Sequence, residues 1–445
     1  MNAYDRPTVP KPTSPATSWR LGTGDRTALY AIAVVVWIVA LDFVFTHTWG
    51  WGVETSALLL VLAAISIGIW ELPELPRRAF RGRTTAAVLC TLAIVISGYQ
   101  LRTGVRSVLR SNPPGLGDMA VTVRNAIRRL FDERTNPYAT RTVDGCRDIR
   151  GRPHATIDAS GQVRLFGVRY DYGFPYFPGY IFTYWPFEWL FHDARGLVVA
   201  NLFWIVLSIF GMFLWLGERR TGLAGLAAIL FSANPTYQRE LYDYVVPDLV
   251  LGVYLLAALV LVERRRPFAA GVAMGLSQAS KLLPAPFFLL PLLFVLDGPR
   301  RRWLLAGYAT VALAFLLPFA AVDPAHFFSA TILFYLSNHA GGDNTAGWFF
   351  APNRFQPWFL GLGYLATAAV WLFFSRRCRT ATHAASVGFG TWLMFMAFSK
   401  MIHLNYIWGG LAPGCVGLAA ATWRRDGFRS IGAVTRQDLA AAQIR

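Results

Sequence analysis

The stretch RRRWLLAGYATVALAFLLPFAAVD, residues 300–323, decides the class of fold. Three arginines precede the uncharged run 303–322, and an aspartate closes it. As a helix that run rises about 30 Å, the thickness of a bilayer's hydrocarbon core. Within hydrocarbon every backbone N–H and C=O must be bonded inside the protein, which a single helix achieves by itself. Arginines gathered at one end mark the end that stays in the cytoplasm.

The same pattern recurs on both sides of this stretch. Apolar spans are expected at 28–46, 56–72, 85–102, 197–216, 222–234, 247–263, 268–280, 283–297, 302–321, 355–374, 384–401 and 406–422. The chain therefore reads as an all-α polytopic membrane protein of about twelve transmembrane helices (11–13), with a large loop after the third. Composition agrees. Of 445 residues 55% are hydrophobic and only 15% charged, where a soluble chain carries about 25% charged residues. The 16 Trp suit the belts in which indole rings sit at the membrane interface.

The loops alternate in charge. One set holds Arg77, Arg78, Arg81, Arg83, Arg219, Arg220, Arg264 to Arg266, Arg300 to Arg302, Arg376, Arg377 and Arg379; the short loops and span ends of the other set hold only Arg239, Lys281, Arg354 and Lys400. Short loops rich in Lys and Arg remain cytoplasmic, so both termini are expected inside and the turn 47–55 outside. These clusters account for most of the net charge of +17, and no nucleic-acid partner is implied. The expected division is a disordered cytoplasmic N-terminus 1–27 rich in Pro, Thr and Ser, a transmembrane hairpin 28–84, a core 85–422 and a cytoplasmic tail 423–445. The first span is too long for a signal-peptide core and has no evident cleavage site, so it is expected to remain as a helix. Cys90 and Cys415 lie in spans, Cys378 in a basic loop and Cys146 in a polar loop. No two share a compartment and a spacing that would make a disulfide or a metal knuckle.

The outer loop 103–196 is too long and polar for a connector, and loops of that size are usually functional. In PPGLGDMAVTVRNAIRRLFDERTNPYA, Pro113, Pro114, Gly115 and Gly117 break the preceding span. Asp118 stands at an N-cap position before Met119, Val123, Ile127 and Leu130 on one face, with Arg124, Arg128 and Arg129 towards the other. That pattern predicts an amphipathic helix in the headgroup layer, closed by the turn Asn136-Pro137-Tyr138. The later YDYGFPYFPGYIFTYWPFEWLF, residues 170–191, is aromatic and broken by Pro and Gly. It reads as a re-entrant or interfacial segment suited to a lipid substrate.

An outward Asp after an early span, followed by an amphipathic helix ending in NPY, resembles the GT-C superfamily of membrane glycosyltransferases. Within it the sequence is most similar to glycosyltransferase family 87, the users of polyprenyl-phosphate-mannose and polyprenyl-phosphate-arabinose. YDYGFPYFPGYIFTYWPF (170–187), GLSQASKLLPAPFFLLPLL (275–293) and FSKMIHLNYIWGGLAP (398–413) carry the same resemblance. It extends from about residue 100 to 415, with 28–72 an added hairpin.

The resemblance implies roles for particular residues. Asp118 matches the outer-loop carboxylate that acts as general base; read from its position alone, it caps its helix. A cation at an outer turn needs a partner. Lys281 finds one in a leaving phosphate, as the resemblance implies, or else snorkels to the interface. His403 can donate to phosphate, and Asn405 and Tyr406 of the same turn can line the sugar pocket. Arg124 and Arg128 are candidate phosphate ligands, and Tyr138, Asp171 and Tyr172 candidate substrate contacts. In NPTYQRELYDYVVPDLV (234–250), Glu240, Asp243 and Asp248 can accept from sugar hydroxyls. A salt bridge of Asp248 with Arg239 or Lys281 accounts for that carboxylate equally well. The loop 322–354 adds His326, Asn338, His339, Asp343 and Asn344, of which His339 is carried as a substrate contact. Asp42 simply reaches the interface.

No Walker loop, HExxH, GxSxG or DxD is present in the sequence. No metal and no cofactor are expected: a phosphate monoester leaving group can be neutralised by Lys with Arg or His. The expected activity is transfer of a mannose- or arabinofuranose-type sugar from a polyprenyl-phosphate donor to a glycan or glycolipid acceptor, on the extracytoplasmic face of the plasma membrane. Membrane lipids are the other partners. The competing class is a transporter or flippase of lipid-linked sugars. That reading needs ionisable pairs at mid-membrane depth and is weakened by the absence of an internal repeat.

Overall fold

The computed structural model describes residues 23–47, 52–72, 83–109, 118–139, 155–157, 163–165, 168–169, 173–234, 239–243, 245–333, 356–399 and 404–421. Cys146, Asp171, Tyr172, Asn338, His339, Asp343, Asn344 and His403 lie outside the described residues, as do 1–22 and 422–445. Asp118 and Glu240 are described in their backbone alone.

The first three helices are α1 (Thr23–His47), α2 (Gly52–Gly68) and α3 (Arg83–Leu109), followed by α4 (Asp118–Phe131). Three short strands follow, β1 (Ala155–Ile157), β2 (Val163–Leu165) and β3 (Val168–Arg169), paired antiparallel in the order β1-β2-β3. The described bundle is all-helical as expected, and this small sheet, which was not expected, lies in the loop between α4 and the helix Gly179–Phe191. The sheet pairs Ala155 with Leu165 and Arg164 with Arg169.

The remaining helices are α5 (Gly179–Phe191), α6 (Arg195–Ser232), α7 (Leu249–Glu263), α8 (Pro267–Ser280), α9 (Ala285–Val295), α10 (Gly298–Val322), the single turn α11 (Pro324–Phe328), then Gln356–Arg377, Ala381–Phe398 and Trp408–Ala421. Among the described residues, Arg83–Leu109, Arg195–Leu216 and Gly298–Val322 are long and apolar enough to cross a membrane, and five shorter apolar helices accompany them. The chain is a multi-pass membrane protein. α5 has 13 residues, about 20 Å of helix, which is too short to cross.

α6 is helical through both spans expected at 197–216 and 222–234, yet it is not one rod. A straight helix would separate Leu202 from Ser232 by about 45 Å. α3 meets both: Gly104 faces Leu202, and Ser97 Oγ lies 2.9 Å from Ser232 Oγ. Between these contacts, Gly222 faces Ala86 and Gly225 faces Leu89. The first leg therefore runs antiparallel to α3 and the second returns parallel to it.

Small residues set the closest helix contacts, as they do where lipid leaves packing to drive association. A Cβ on Gly271 would meet Leu304 O at 2.0 Å, and one on Gly307 would meet Phe268 O at 2.1 Å. α8 and α10 therefore touch backbone to backbone. The added hairpin is not detached. Ser386 Oγ donates to Ser66 O at 2.5 Å, and Trp70 stacks on His383 at 4.5 Å. The described clusters Arg264–Arg266, Arg300–Arg302 and Arg376–Arg377 share one end of the bundle, where Arg377 lies 4.0 Å from Glu71. The other end carries the polar cluster described next.

Candidate functional site

α7 and α8 are antiparallel neighbours, so the start of one lies beside the end of the other. Asp248 occupies the N-terminus of α7 and Lys281 the C-terminus of α8. A carboxylate at the positive end of a helix and an ammonium at the negative end are both favoured by the peptide dipoles. They meet directly: Lys281 Nζ donates to Asp248 Oδ1 at 2.9 Å and Oδ2 at 3.0 Å. Asp248 is fully buried and Lys281 is 8% exposed. The snorkelling alternative for Lys281 is thus overturned, because its ammonium turns inward to a carboxylate. Of the two partners expected for Asp248, Lys281 makes this contact, and the Arg239 side chain lies outside what is described.

Four further side chains complete the cluster. Tyr180 at the start of α5 donates its hydroxyl to Asp248 Oδ1. Asn405, in the turn Leu404–Ile407, donates to Asp248 Oδ2 at 3.0 Å and also to Met119 Sδ, one residue after Asp118. The Tyr406 ring lies 3.6 Å from Lys281 Nζ and the Tyr176 ring 5.4 Å. Both faces add cation–π attraction. α5 reaches this position because Gly179 has no Cβ; one built there would lie 2.6 Å from Ala279 C and O.

α5 is polar inside and apolar outside. Tyr180, Tyr184 and Glu188, spaced four apart, share its buried face, while Trp189 and Leu190 are each 64% exposed. Such an inversion suits a helix whose outer face meets lipid. Each inward residue has a polar task. Tyr184 donates to Asn201 Oδ1 at 3.0 Å and Pro247 O at 3.1 Å. Asn201 holds Leu241 O at 2.9 Å and Val246 O at 3.2 Å. Together they shape the bend that presents Asp248. Val245 in that bend has φ 56°, a conformation that a β-branched residue adopts only at a cost.

Glu188 binds Arg124 at 2.6 Å, and Arg124 also donates to His192 O at 2.9 Å. Burial raises the Glu188 carboxyl above its usual range, with Arg124 opposing. Arg128 contributes a smaller favourable field on the same carboxylate. Arg124 therefore fastens α4 to α5, and its contacts are with protein. α4 itself follows the expected pattern, with Met119, Val123 and Ile127 buried. Tyr138 is buried as well, donating to Tyr176 O at 3.1 Å. The expected turn at 136–138 is present: Asn136 Oδ1 accepts from Tyr138 N at 3.0 Å. Asn136 also donates to Asp323 Oδ2 at 3.1 Å. The His326 backbone N–H, more than its ring or Asn136, holds the Asp323 carboxyl below its usual range, with a smaller opposing effect of desolvation.

Of the predicted residues, then, Lys281, Asp248, Asn405 and Tyr406 come together, with Asp118 beginning the helix that the cluster touches through Met119. Asp243 ends the turn Arg239–Asp243. Tyr176, Tyr180, Tyr184 and Asn201 were not singled out from sequence, and Met119 only as part of the apolar face of α4. Asn201 had a readable signal, an amide inside an otherwise apolar span.

Comparison with known proteins places these residues in a wider set. Two crystal structures of ArnT from Cupriavidus metallidurans align with the chain. The one bound to undecaprenyl phosphate has 16% identity and a TM-score of 0.46, covering 80% of this chain and 63% of that one. The apo structure has 15% identity and a TM-score of 0.42, covering 75% and 59%. This chain thus spans less than two thirds of the length of ArnT. No curated protein matches it. The family model of glycosyltransferase family 87 matches residues 174–403, just over half of the chain, and takes in Tyr176, Tyr180, Asp248 and Lys281. On that match, this membrane protein belongs to glycosyltransferase family 87.

Proposed function

We propose that the enzyme moves a mannose- or arabinofuranose-type sugar from a polyprenyl-phosphate donor to a lipid-linked or cell-envelope glycan, with a GT-C type of bundle holding the site at its extracytoplasmic end. The observation that carries this reading is the placement of Lys281. Its ammonium sits between Tyr406 and Tyr176, at the end of the bundle away from the arginine clusters, and is linked through Asp248 and Asn405 to the residue after Asp118.

Asp118 takes the proton of the acceptor hydroxyl as that oxygen attacks the anomeric carbon. The bond from that carbon to the phosphate oxygen breaks, and its electron pair leaves with the phosphate. Lys281, with His403 of the turn that follows Lys400, stabilises the growing charge. One displacement inverts the anomeric configuration. The donor enters sideways from the outer leaflet, where the apolar outer face of α5 meets lipid. Asn405, Tyr406, Glu240, Asp243, Asp171, Tyr172 and His339 supply the polar wall around the sugars.

A reconstituted assay tests this reading. Purified protein in liposomes is offered a panel of labelled polyprenyl-phosphate sugars with a glycolipid acceptor. Transfer from at least one donor, with inversion at the anomeric carbon, is the expected result. Failure to transfer from any of them, together with movement of the intact donor between leaflets, overturns it in favour of a flippase.

A further inference from the structure

Asp248 is engaged more completely than a sugar-binding carboxylate could be. An ionised carboxylate offers about four acceptor directions. Oδ1 receives Tyr180 and Lys281, and Oδ2 receives Lys281 and Asn405, so protein fills all of them. The group is also fully buried. No direction remains for a hydroxyl of the substrate, and no face through which one could arrive.

Its partners come from separate parts of the chain. Tyr180 starts α5, Lys281 ends α8, and Asn405 precedes the last helix. The Asn405 amide has two N–H groups, one given to Asp248 and the other to Met119 Sδ in the first turn of α4. A lysine stem is flexible and its ammonium strongly hydrated, so left alone it would swing towards water. The carboxylate instead pins it against the Tyr406 face, 3.6 Å away.

We propose that Asp248 is a positioning residue of the transfer reaction: it fixes the Lys281 ammonium against Tyr406 and Tyr176 and, through Asn405 and Met119, sets the ammonium's place relative to Asp118. This rests on the reading in which Lys281 meets the donor phosphate and Asp118 the acceptor proton. Asp248 touches neither substrate. Its effect reaches the reaction only through Lys281 and the start of α4.

The experiment is a double-mutant cycle on the full-length protein in nanodiscs. Asp248→Asn, Asp248→Glu, Lys281→Ala and the double variant Asp248→Asn/Lys281→Ala are compared with wild type. The readouts are donor KM, acceptor KM, kcat and affinity for a short-chain polyprenyl phosphate. Asp248→Asn is expected to raise donor KM by about 10- to 100-fold, in the range seen when a supporting partner of a binding group is removed. Acceptor KM stays within about twofold. Asp248→Glu, which keeps the charge, recovers part of the loss. In the Lys281→Ala background the Asn substitution adds no further loss of donor affinity, because the residue it acts through is gone. Multiplicative losses would mean that Asp248 contacts substrate independently and would overturn the proposal. So would a folded Asp248→Asn protein with reduced melting temperature but wild-type donor KM. If Asp248→Asn does not fold, Asp248→Glu carries the test, and wild-type donor KM in that variant counts against the proposal. A wild-type protein that transfers no sugar from any polyprenyl-phosphate donor defeats the functional reading itself, whereas failure of the cycle alone leaves that reading standing.

Discussion

Lys281 and Asp248 form a two-pronged ion pair, 2.9 and 3.0 Å, between the C-terminal end of one helix and the N-terminal start of its antiparallel neighbour. Removing one member of a buried pair strands the other. Lys281→Ala should therefore destabilise the protein by about 3–5 kcal/mol and also weaken polyprenyl phosphate binding without abolishing it. The double variant Asp248→Asn/Lys281→Ala should regain most of the stability and none of the binding. Thermal unfolding in detergent, read beside a binding titration, separates the two effects. A double variant as unstable as Lys281→Ala contradicts the pairing.

Asp118→Asn separates a base from a cap. Asparagine caps a helix about as well as aspartate, so the melting temperature should hardly change. Asparagine cannot take the acceptor proton, so kcat should fall by roughly 10²- to 10⁴-fold while donor binding persists. An active Asp118→Asn enzyme moves the base to another outer carboxylate, with Asp171 and Asp243 the first to examine.

Gly179 is a packing requirement at the site. A Cβ there would lie 2.6 Å from Ala279 C and O and from Ser280 Oγ, whereas one on Gly361 meets nothing within 4 Å. Gly179→Ala should destabilise by about 1–3 kcal/mol and raise donor KM, because α5 carries Tyr180 away from Asp248. Gly361→Ala, inside a helix, should be neutral or stabilising by up to about 1 kcal/mol. Equal behaviour of the two would show that the close approach of α5 to α8 is unimportant.

The Glu188 carboxyl is raised by burial, against the pull of Arg124. A raised carboxyl pKa in the folded state favours folding at pH below the unfolded value of about 4.3. That contribution is lost as pH climbs through the folded value. Glu188→Gln should remove this component, flattening the pH profile of stability above pH 4 while loosening α4 through the lost charge on Arg124. Superimposable wild-type and Gln profiles between pH 4 and pH 7 would exclude the effect.

Sidedness follows from the arginine clusters. In a cysteine-free background, single cysteines in 47–55, 103–177 and 322–354 should react with an impermeant thiol reagent in intact cells. Cysteines at 265 and 301 should react only after lysis. Labelling at 265 but not at 118 would invert the topology and remove the proposed mechanism.

Several elements were legible because local chemistry alone dictates them. The apolar runs and their one-sided arginines fix helices near lipid length and a common basic end, since neither backbone nor charge has another low-energy place in a bilayer. The α4 face of Met119, Val123 and Ile127 was equally readable, because its period is that of the helix itself. So was the turn at Asn136, whose side chain mimics a backbone bond. The strands at 155–169 were not, for short segments outside lipid take their pairing from each other.

What the sequence by itself determined is the class of the molecule, the basic end of its bundle and the names of Lys281, Asp248, Asn405 and Tyr406 as residues of interest. Only the tertiary structure decided their relation. From sequence Asp248 had two equally good cations, and Lys281 could as well have reached for water. The antiparallel packing of α7 on α8, the close approach of α5 permitted by Gly179, and the bend tied by Asn201 bring three distant segments to one carboxylate. Partner choice among buried charges is set by which helix ends meet in space, and no local pattern in the chain encodes that meeting.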